Sequence, residues 1–358
     1  MKNIIFYLIF CLYIPLNFSY AQTDSTIIEE EETEETTDFS KMVAGEKVKA
    51  FCSSRILGQV PQKLISIGYD LQTANTLTAG RFGENPENSQ KISLNRGLRV
   101  GVNYPVISKN NILLNLGFNY TENLYHFENS VENAHPLIRS LEQNGLRSLG
   151  LNATVFKPLN LKNFLLFQVA ANLNGDFTFS NFQSLEYLRY SAAAVYGWKP
   201  HDRLMWGLGV SRSYLAGALN YFPVLYYFYT SENGKWGLEG LLPGRFNYRR
   251  TLDKKNILLF GFELEGNTFR LNNQNNIFDT NLKELELRRS ELRIRATYER
   301  AISRLIWASI QVGYRYNWDF NIDNGDFFRS IFDDKPFLIN NRLTNPLYFS
   351  ITLNWVSP

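Results

Sequence analysis

The side chains that could do covalent chemistry are few, and most share one short segment. Of the three histidines in 358 residues, His126 and His135 lie near Ser130, Ser140, Glu128 and Glu132. A base, a hydroxyl and an acid could act on lipids if an imidazole reached a serine at hydrogen-bond distance. Nothing in the spacing enforces that approach, so catalysis is not expected. His201 stands alone. Cys52 is the only cysteine outside the apolar N-terminus, so no internal disulfide is expected, and no Cys or His cluster has metal-ligand spacing. No glycine-rich phosphate loop joins a strand to a helix. No cofactor, metal or nucleic acid is therefore expected as a partner.

The remaining chemistry is electrostatic, and it depends on the elements that hold the charges. In 347–355, Leu347, Phe349, Ile351, Leu353 and Trp355 alternate with Tyr348, Ser350, Thr352 and Asn354. This is a strand with one apolar and one polar face. The alternation recurs from residue 64 onward in segments of about ten residues, joined by alternately short and long connections, which is the pattern of a transmembrane barrel. Strands are predicted over 64–74, 93–104, 112–123, 149–157, 164–174, 185–198, 204–213, 221–229, 236–242, 245–251, 257–269, 287–300, 305–317 and 347–355, with a short helix at 136–143. Pro223 marks a bulge, a strand end or a lost pairing. The fold class is all-β, a transmembrane antiparallel up-and-down β-barrel of about fourteen strands, twelve being the alternative. Short turns belong in the periplasm, with both chain ends.

If the apolar stripes face lipid, the opposite parity faces the lumen, because a charge on the lipid face costs about 2–4 kcal/mol near the midplane. That parity turns Arg99, Glu239, Arg249, Glu263, Glu265, Glu291, Arg293, Arg295, Glu299 and Arg315 inward as a charge network. Such a network either locks facing strands together or lines a charge-selective constriction. Tyr104, Tyr196, Trp198, Trp206 and Trp355 fall at the predicted inner rim, and Tyr120, Tyr314 and Tyr316 at the outer, as an aromatic girdle. Basic residues at predicted turns, Lys199 among them, are read as facing anionic head groups.

The N-terminus reads as an export signal over 1–21, with Lys2, an apolar run at 4–18 and Ser19-Tyr20-Ala21 as a cleavage site. An acidic, disordered periplasmic leader follows at 22–45, then an approach segment at 46–63 with room for one further strand, then the barrel at 64–358. The net charge of +3 thus joins an acidic leader to a cationic body.

The signal, the repeated strands and a last strand bearing Trp355 together resemble bacterial outer-membrane β-barrel proteins. Tyr221-Phe222-Pro223 and Leu241-Leu242-Pro243, each leading into a tyrosine-bearing stretch, are similar to those of an uncharacterised family of such barrels, of unknown function. The resemblance implies residence in the outer membrane among lipids and lipopolysaccharide, and insertion by the barrel-assembly machinery, which reads the last strand. Here Val356, Ser357 and Pro358 follow Trp355, where the usual pattern ends on the aromatic. The resemblance brings no catalytic or binding residues. The expected function is a passive or selective channel for small solutes. The alternatives are a non-conducting structural or surface-interaction barrel working through loops 124–146 and 317–345, and a lipid-acting enzyme built on 126–140.

Overall fold

The computed structural model describes residues 50–129, 134–178, 185–215, 217–271, 278, 285–324 and 336–357. The signal, the leader, Ser130 and Glu132 lie outside the described residues. The strands are β1 (Lys63–Gln72), β2 (Asn75–Ala79), β3 (Asn88–Lys109), β4 (Ile112–Phe127), β5 (Leu146–Pro158), β6 (Asn163–Gly175), β7 (Leu188–His201), β8 (Leu204–Ser213), β9 (Asn220–Thr230), β10 (Trp236–Leu242), β11 (Arg245–Thr251), β12 (Asn256–Leu271), β13 (Leu285–Ala301), β14 (Ile306–Asp323), β15 (Arg342–Leu343) and β16 (Leu347–Val356). A helix, α1 (Pro136–Asn144), lies between β4 and β5.

These segments make one sheet closed by the pairing of β1 with β3. β1 and β2 are a single broken stave, since Gln72 faces Asn95 and Asn75 faces Ile92 on the same neighbour. β15 and β16 are likewise one broken stave, running beside β2 and β1. The barrel therefore has fourteen staves. Every neighbouring pair around it is antiparallel, which closes the backbone hydrogen bonding around the barrel, the condition for strands to cross a membrane. The outward rows are exposed and apolar, for example Ile65, Ile67, Tyr69 and Leu71 on β1, and Leu347, Phe349, Ile351 and Leu353 on β16. A contiguous belt of this kind would be an aggregation surface in water and is a solvation shell in lipid.

The turns at 110–111, 159–162, 202–203, 231–235, 252–255 and 302–305 gather at one end, with Lys63 and Val356. In outer-membrane barrels the short-turn end is the periplasmic one. The opposite end is stepped. β10 and β11 have only seven residues each, joined at Pro243-Gly244. β12, with sixteen, continues past them until Arg270 bridges in parallel to Gly175 at the end of β6. The outer half thus closes without β7 to β11. Its interior is a hydrophobic core to which β2, β3, β4, β12, β13 and β14 contribute Leu77, Ile92, Phe127, Phe269, Leu287 and Phe320, with Leu137, Ile138 and Leu141 of α1 among them. Tyr214, Leu215 and Gly217 lie against the outside of β12, where Thr268 donates to the Gly217 carbonyl at 2.7 Å. Gly266 permits this approach, since a Cβ there would sit 2.2 Å from the Leu215 carbonyl oxygen.

Helix α1 is seated by His135, whose Nδ1 accepts from the Leu137 N–H at 3.3 Å and caps the helix. The ring is buried, and desolvation lowers its pKa from 6.5 to about 4. The unfolded chain takes up a proton near 6.5 and the folded one only near 4, so stability is complete above 6.5 and lost as pH falls between the two values. The loss reaches roughly 3 kcal/mol at most. Protonation of Nδ1 also removes the cap acceptor. Amide protection in residues 136–144, corrected for intrinsic exchange, is expected to drop between pH 7.5 and 4.5, and His135→Asn, which keeps an acceptor and does not titrate, should flatten that drop. Equal protection of the native chain at both values would refute the assignment.

Candidate functional site: the barrel lumen

Inward parity on β1, β3, β12, β13 and β14 assembles a belt of ion pairs across one wall. Glu291 is its hub, fully buried and contacted by Arg289 at 2.7 Å, by Arg315 at 3.4 Å and by the Nε of Arg293. Arg293 also reaches Glu265, and Arg295 pairs with Glu263. Arg99 binds Asp70 at 2.5 Å and the Ser350 hydroxyl at 3.1 Å. Arg315 stacks its guanidinium 5.0 Å from the centre of the Tyr348 ring. Seven of the ten residues assigned to the lumen from sequence meet in this belt, and Asp70 and Arg289 complete it. Both could have been found by the same parity, because Ile65, Ile67, Tyr69 and Leu71 point outward around Asp70. Glu291, Arg293 and Arg315 are at most 7% exposed, whereas the Glu263, Glu265 and Arg99 side chains at the margin of the belt keep about 30% of their surface accessible. At this level the network acts as a lock between strands.

The other three assigned residues sit at the periplasmic end. Glu299 accepts from Lys63 at 2.6 Å. Arg249 is fully buried, paired with Glu239 at 3.0 Å and donating to the Thr230 hydroxyl at 2.7 Å. These two serve an element that the sequence left as an approach segment. Residues 50–62 form no strand; they run across the inside of the periplasmic mouth as a strap. The Cys52 N–H donates to the Asn160 carbonyl at 3.0 Å and that of Leu57 to the Asp202 carbonyl at 2.8 Å. Cys52 and Ile56 pack on Phe156, Phe164, Met205 and Phe228, and Val60 packs against Ile257, Trp307 and Val356. Gly58, at φ +70°, lies over Thr230 and Arg249, which only a residue without a side chain tolerates.

Lys199 latches this strap. It is not a head-group contact but 4% exposed, donating to the Arg55 carbonyl at 2.8 Å, to the Ser53 carbonyl at 3.4 Å and to the Ser53 hydroxyl. Trp198 faces outward, so parity already turned Lys199 inward; its closeness to a turn obscured this. Burial raises the Cys52 thiol pKa, partly offset by Lys199.

Between strap and outer core, on the wall opposite the charge belt, a cavity of about 220 Å³ remains. Leu166, Ala193, Val195, Phe222, Val224 and Leu241 give it an apolar surface, and Gln168, Ser191, Ser211 and Ser213 line it with an amide and hydroxyls. It reaches the barrel wall at Leu242, Pro243 and Gly244, where β10 and β11 end. Pro223 stays in register with Val210 on β8, while the ladder with β10 stops at Leu225, so the lost pairing is on the β10 side. A wider concavity of about 1290 Å³, bordered by Phe260, Phe262, Ile294, Val312 and Phe349, lies on the outward, apolar face of the barrel.

The aromatic residues divide by exposure. Tyr104, Tyr196, Tyr314, Tyr316 and Trp355 are exposed on the lipid-facing wall. Trp198 and Trp206 stack at 4.4 Å between centroids. Tyr120 is buried, with its hydroxyl donating to Glu122 at 2.8 Å. The loop set does not assemble a catalytic arrangement among the described residues: Ser140 gives its hydroxyl to Asp176 at 3.0 Å, His135 caps α1, and exposed His126 contacts Glu142 at 3.0 Å. Among the described residues no group of three or more metal-ligating side chains is close enough to hold an ion.

A closed fourteen-stave barrel with an apolar belt outside, polar parity inside and both ends on the short-turn side decides the class. The chain is a transmembrane antiparallel β-barrel. No family model matches it, and no curated protein matches it in sequence. Among solved structures it is similar to the toluene transporter TodX of Pseudomonas putida, at 8% identity over 86% of this chain and 95% of that one, with a TM-score of 0.34. It is also similar to a FadL homologue of Pseudomonas aeruginosa, at 8% identity over 84% and 91%, with a TM-score of 0.40. The outer membrane protease OmpT of Escherichia coli matches at 9% identity over 83% and 98%, with a TM-score of 0.30. At these values the likeness of this barrel to each of them is one of architecture only.

Proposed function

We propose that this barrel is a gated channel for small, mostly apolar molecules, closed from the periplasm by its own strap. The observation that carries the reading is the cavity of about 220 Å³, whose apolar surface, hydroxyls and single amide suit an aromatic or aliphatic molecule with one polar group. Its contact with the wall at Pro243-Gly244 supports exchange with the surrounding membrane, and the strap beneath it supports release to the periplasm once displaced. An ion-conducting pore is not part of the reading, because the hub of the charge belt, Glu291 with Arg289, Arg293 and Arg315, is buried. The same buried hub and the filled outer core favour the second reading, a non-conducting structural barrel.

Uptake of N-phenyl-1-naphthylamine by cells carrying the barrel in their outer membrane separates the two. The channel reading expects an initial rate several-fold above cells without it, and a return to background with Ala193→Trp, which fills the cavity. Equal rates for the native chain and this variant, both shown folded by heat-modifiable migration, would leave the structural barrel.

A further inference from the structure

The cavity between strap and outer core is graded along the barrel axis, and the grading bears on which molecule it takes. Its rung nearest the short-turn end is apolar: Leu166 faces Val195, and Val195 and Val224 flank Gly209, which contributes no side chain. One rung further out, Gln168 faces Ala193, Ala193 faces Ser211 and Ser211 faces Phe222. The next inward positions are Ser191 and Ser213, since the outward residues beside them, Ala192 and Arg212, are partners in the ladder. Four residues at about 3.3 Å each separate the valine rung from these two serines by about 13 Å.

Polar side chains on neighbouring inward positions of this barrel usually pair with each other, as Ser148 does with Asn174 at 2.6 Å and Ser66 with Asn354 at 2.8 Å. The cavity is different. Among the described residues, the Ser191, Ser211 and Ser213 hydroxyls and the Gln168 amide are engaged by no other side chain or backbone group. No acidic or basic side chain lines the space, and Arg189, the next inward residue on β7, is held by Glu286. The site therefore offers donors and acceptors without charge. A hydroxyl enclosed by apolar groups without a partner is penalised, and a carboxylate far more so. Here a hydroxyl meets partners and a carboxylate meets no cation. A cavity of about 150 Å³ encloses one benzene, so about 220 Å³ holds a single ring with short substituents.

We propose that the cavity selects neutral phenols, an inference that rests on the channel reading and names its substrate class. The ring lies among Leu166, Val195 and Val224, and its hydroxyl points outward, donating to one of Ser191 and Ser213 and accepting from the other. Ser191 and Ser213 are then the specificity-determining residues. A hydrocarbon leaves both without a partner, and an aromatic carboxylate sheds its hydration against no positive charge.

The test is isothermal titration of the purified full-length barrel in detergent micelles at pH 7 with p-cresol, toluene and p-toluate, which share a ring and a methyl group and differ in the remaining substituent. A phenol keeps its proton at this pH, as tyrosine does, whereas a carboxylic acid has lost it. Ala193→Trp in the same micelles supplies the background, and heat-modifiable migration establishes folding of each variant. The native chain is expected to bind p-cresol at least tenfold more tightly than p-toluate. Ser191→Ala combined with Ser213→Ala should weaken p-cresol about tenfold, the worth of two neutral hydrogen bonds. Toluene should stay within twofold, which also shows that the cavity has kept its shape. A p-cresol loss below twofold, an equal loss of both ligands, or p-toluate binding as tightly as p-cresol would each overturn the proposal, while toluene binding above background would leave the channel reading standing. Binding of none of the three above background would remove both.

Discussion

Glu291→Leu is expected to cost the barrel at least 3 kcal/mol of unfolding free energy and to lower its yield of folded protein. Glu291 is shared by Arg289, Arg293 and Arg315, all three at most 7% exposed, and it is itself fully buried. Removing the partner of a buried charge costs about 3–5 kcal/mol, because the remaining ion is left in a medium that solvates it poorly. Here three cations lose one anion together. Arg293 keeps Glu265, and Arg315 keeps a distant contact to Asp70 at 4.0 Å, so the deficit falls hardest on Arg289 and Arg315. Glu291→Gln, which retains an acceptor without charge, should fall between native and leucine. Glu128→Gln breaks the solvent-exposed pair with Lys91 and should cost less than about 1 kcal/mol.

Equilibrium unfolding in urea from lipid vesicles gives the comparison. A double variant, Arg289→Met with Glu291→Leu, tests the cause as well as the size. If uncompensated charge is what destabilises the single variant, adding the arginine substitution should recover stability, whereas a packing defect would make it worse. A loss below 1 kcal/mol for Glu291→Leu would show that water reaches the belt and that the lock is solvated.

Much of this arrangement was legible because a strand has only two faces. Alternation in β12 and β13 put Glu263, Glu265, Glu291, Arg293 and Arg295 on one side, and the pairings of Glu263 with Arg293 and of Glu265 with Glu291 in the ladder bring them level. Where alternation breaks, the reading stopped. β14 was expected to end at residue 317, but it continues to Asp323 through a register shift at 317–319, after which Phe320 and Ile322 rather than Trp318 face inward. The outer half has no local signature at all. It depends on the bridge between Gly175 and Arg270 and on α1 entering a core of residues distant in sequence. The strap is the same case: residues 50–62 have no periodicity, and their placement follows from partners at 160, 199, 202 and 249. Such contacts are long-range packing, which no window of sequence contains.

Lys199→Met is expected to release the strap and to be read directly at Cys52. The ammonium holds the carbonyls of Ser53 and Arg55 and the Ser53 hydroxyl, and a thioether side chain can donate to none of them. Hydrogen bonds to a charged donor contribute about 1.5–3 kcal/mol each where burial denies water, so losing even one raises the strap-open population by roughly tenfold or more. Cys52 is buried against Phe156 and Phe164 while the strap is seated, and its thiol is free. Maleimide labelling at neutral pH should therefore be at least tenfold faster in the variant. The direction is diagnostic. Lys199 lowers the Cys52 pKa, so its removal from a strap that stayed closed would leave less thiolate and slow the reaction. Acceleration can come only from exposure. Lys109→Met, at the exposed end of β3, serves as the control and should label as the native chain does. If the variant is folded and labels at or below the native rate, Lys199 does not hold the strap. If it labels faster while dye uptake stays at the native level, the strap opens without gating passage, and the channel reading loses its gate.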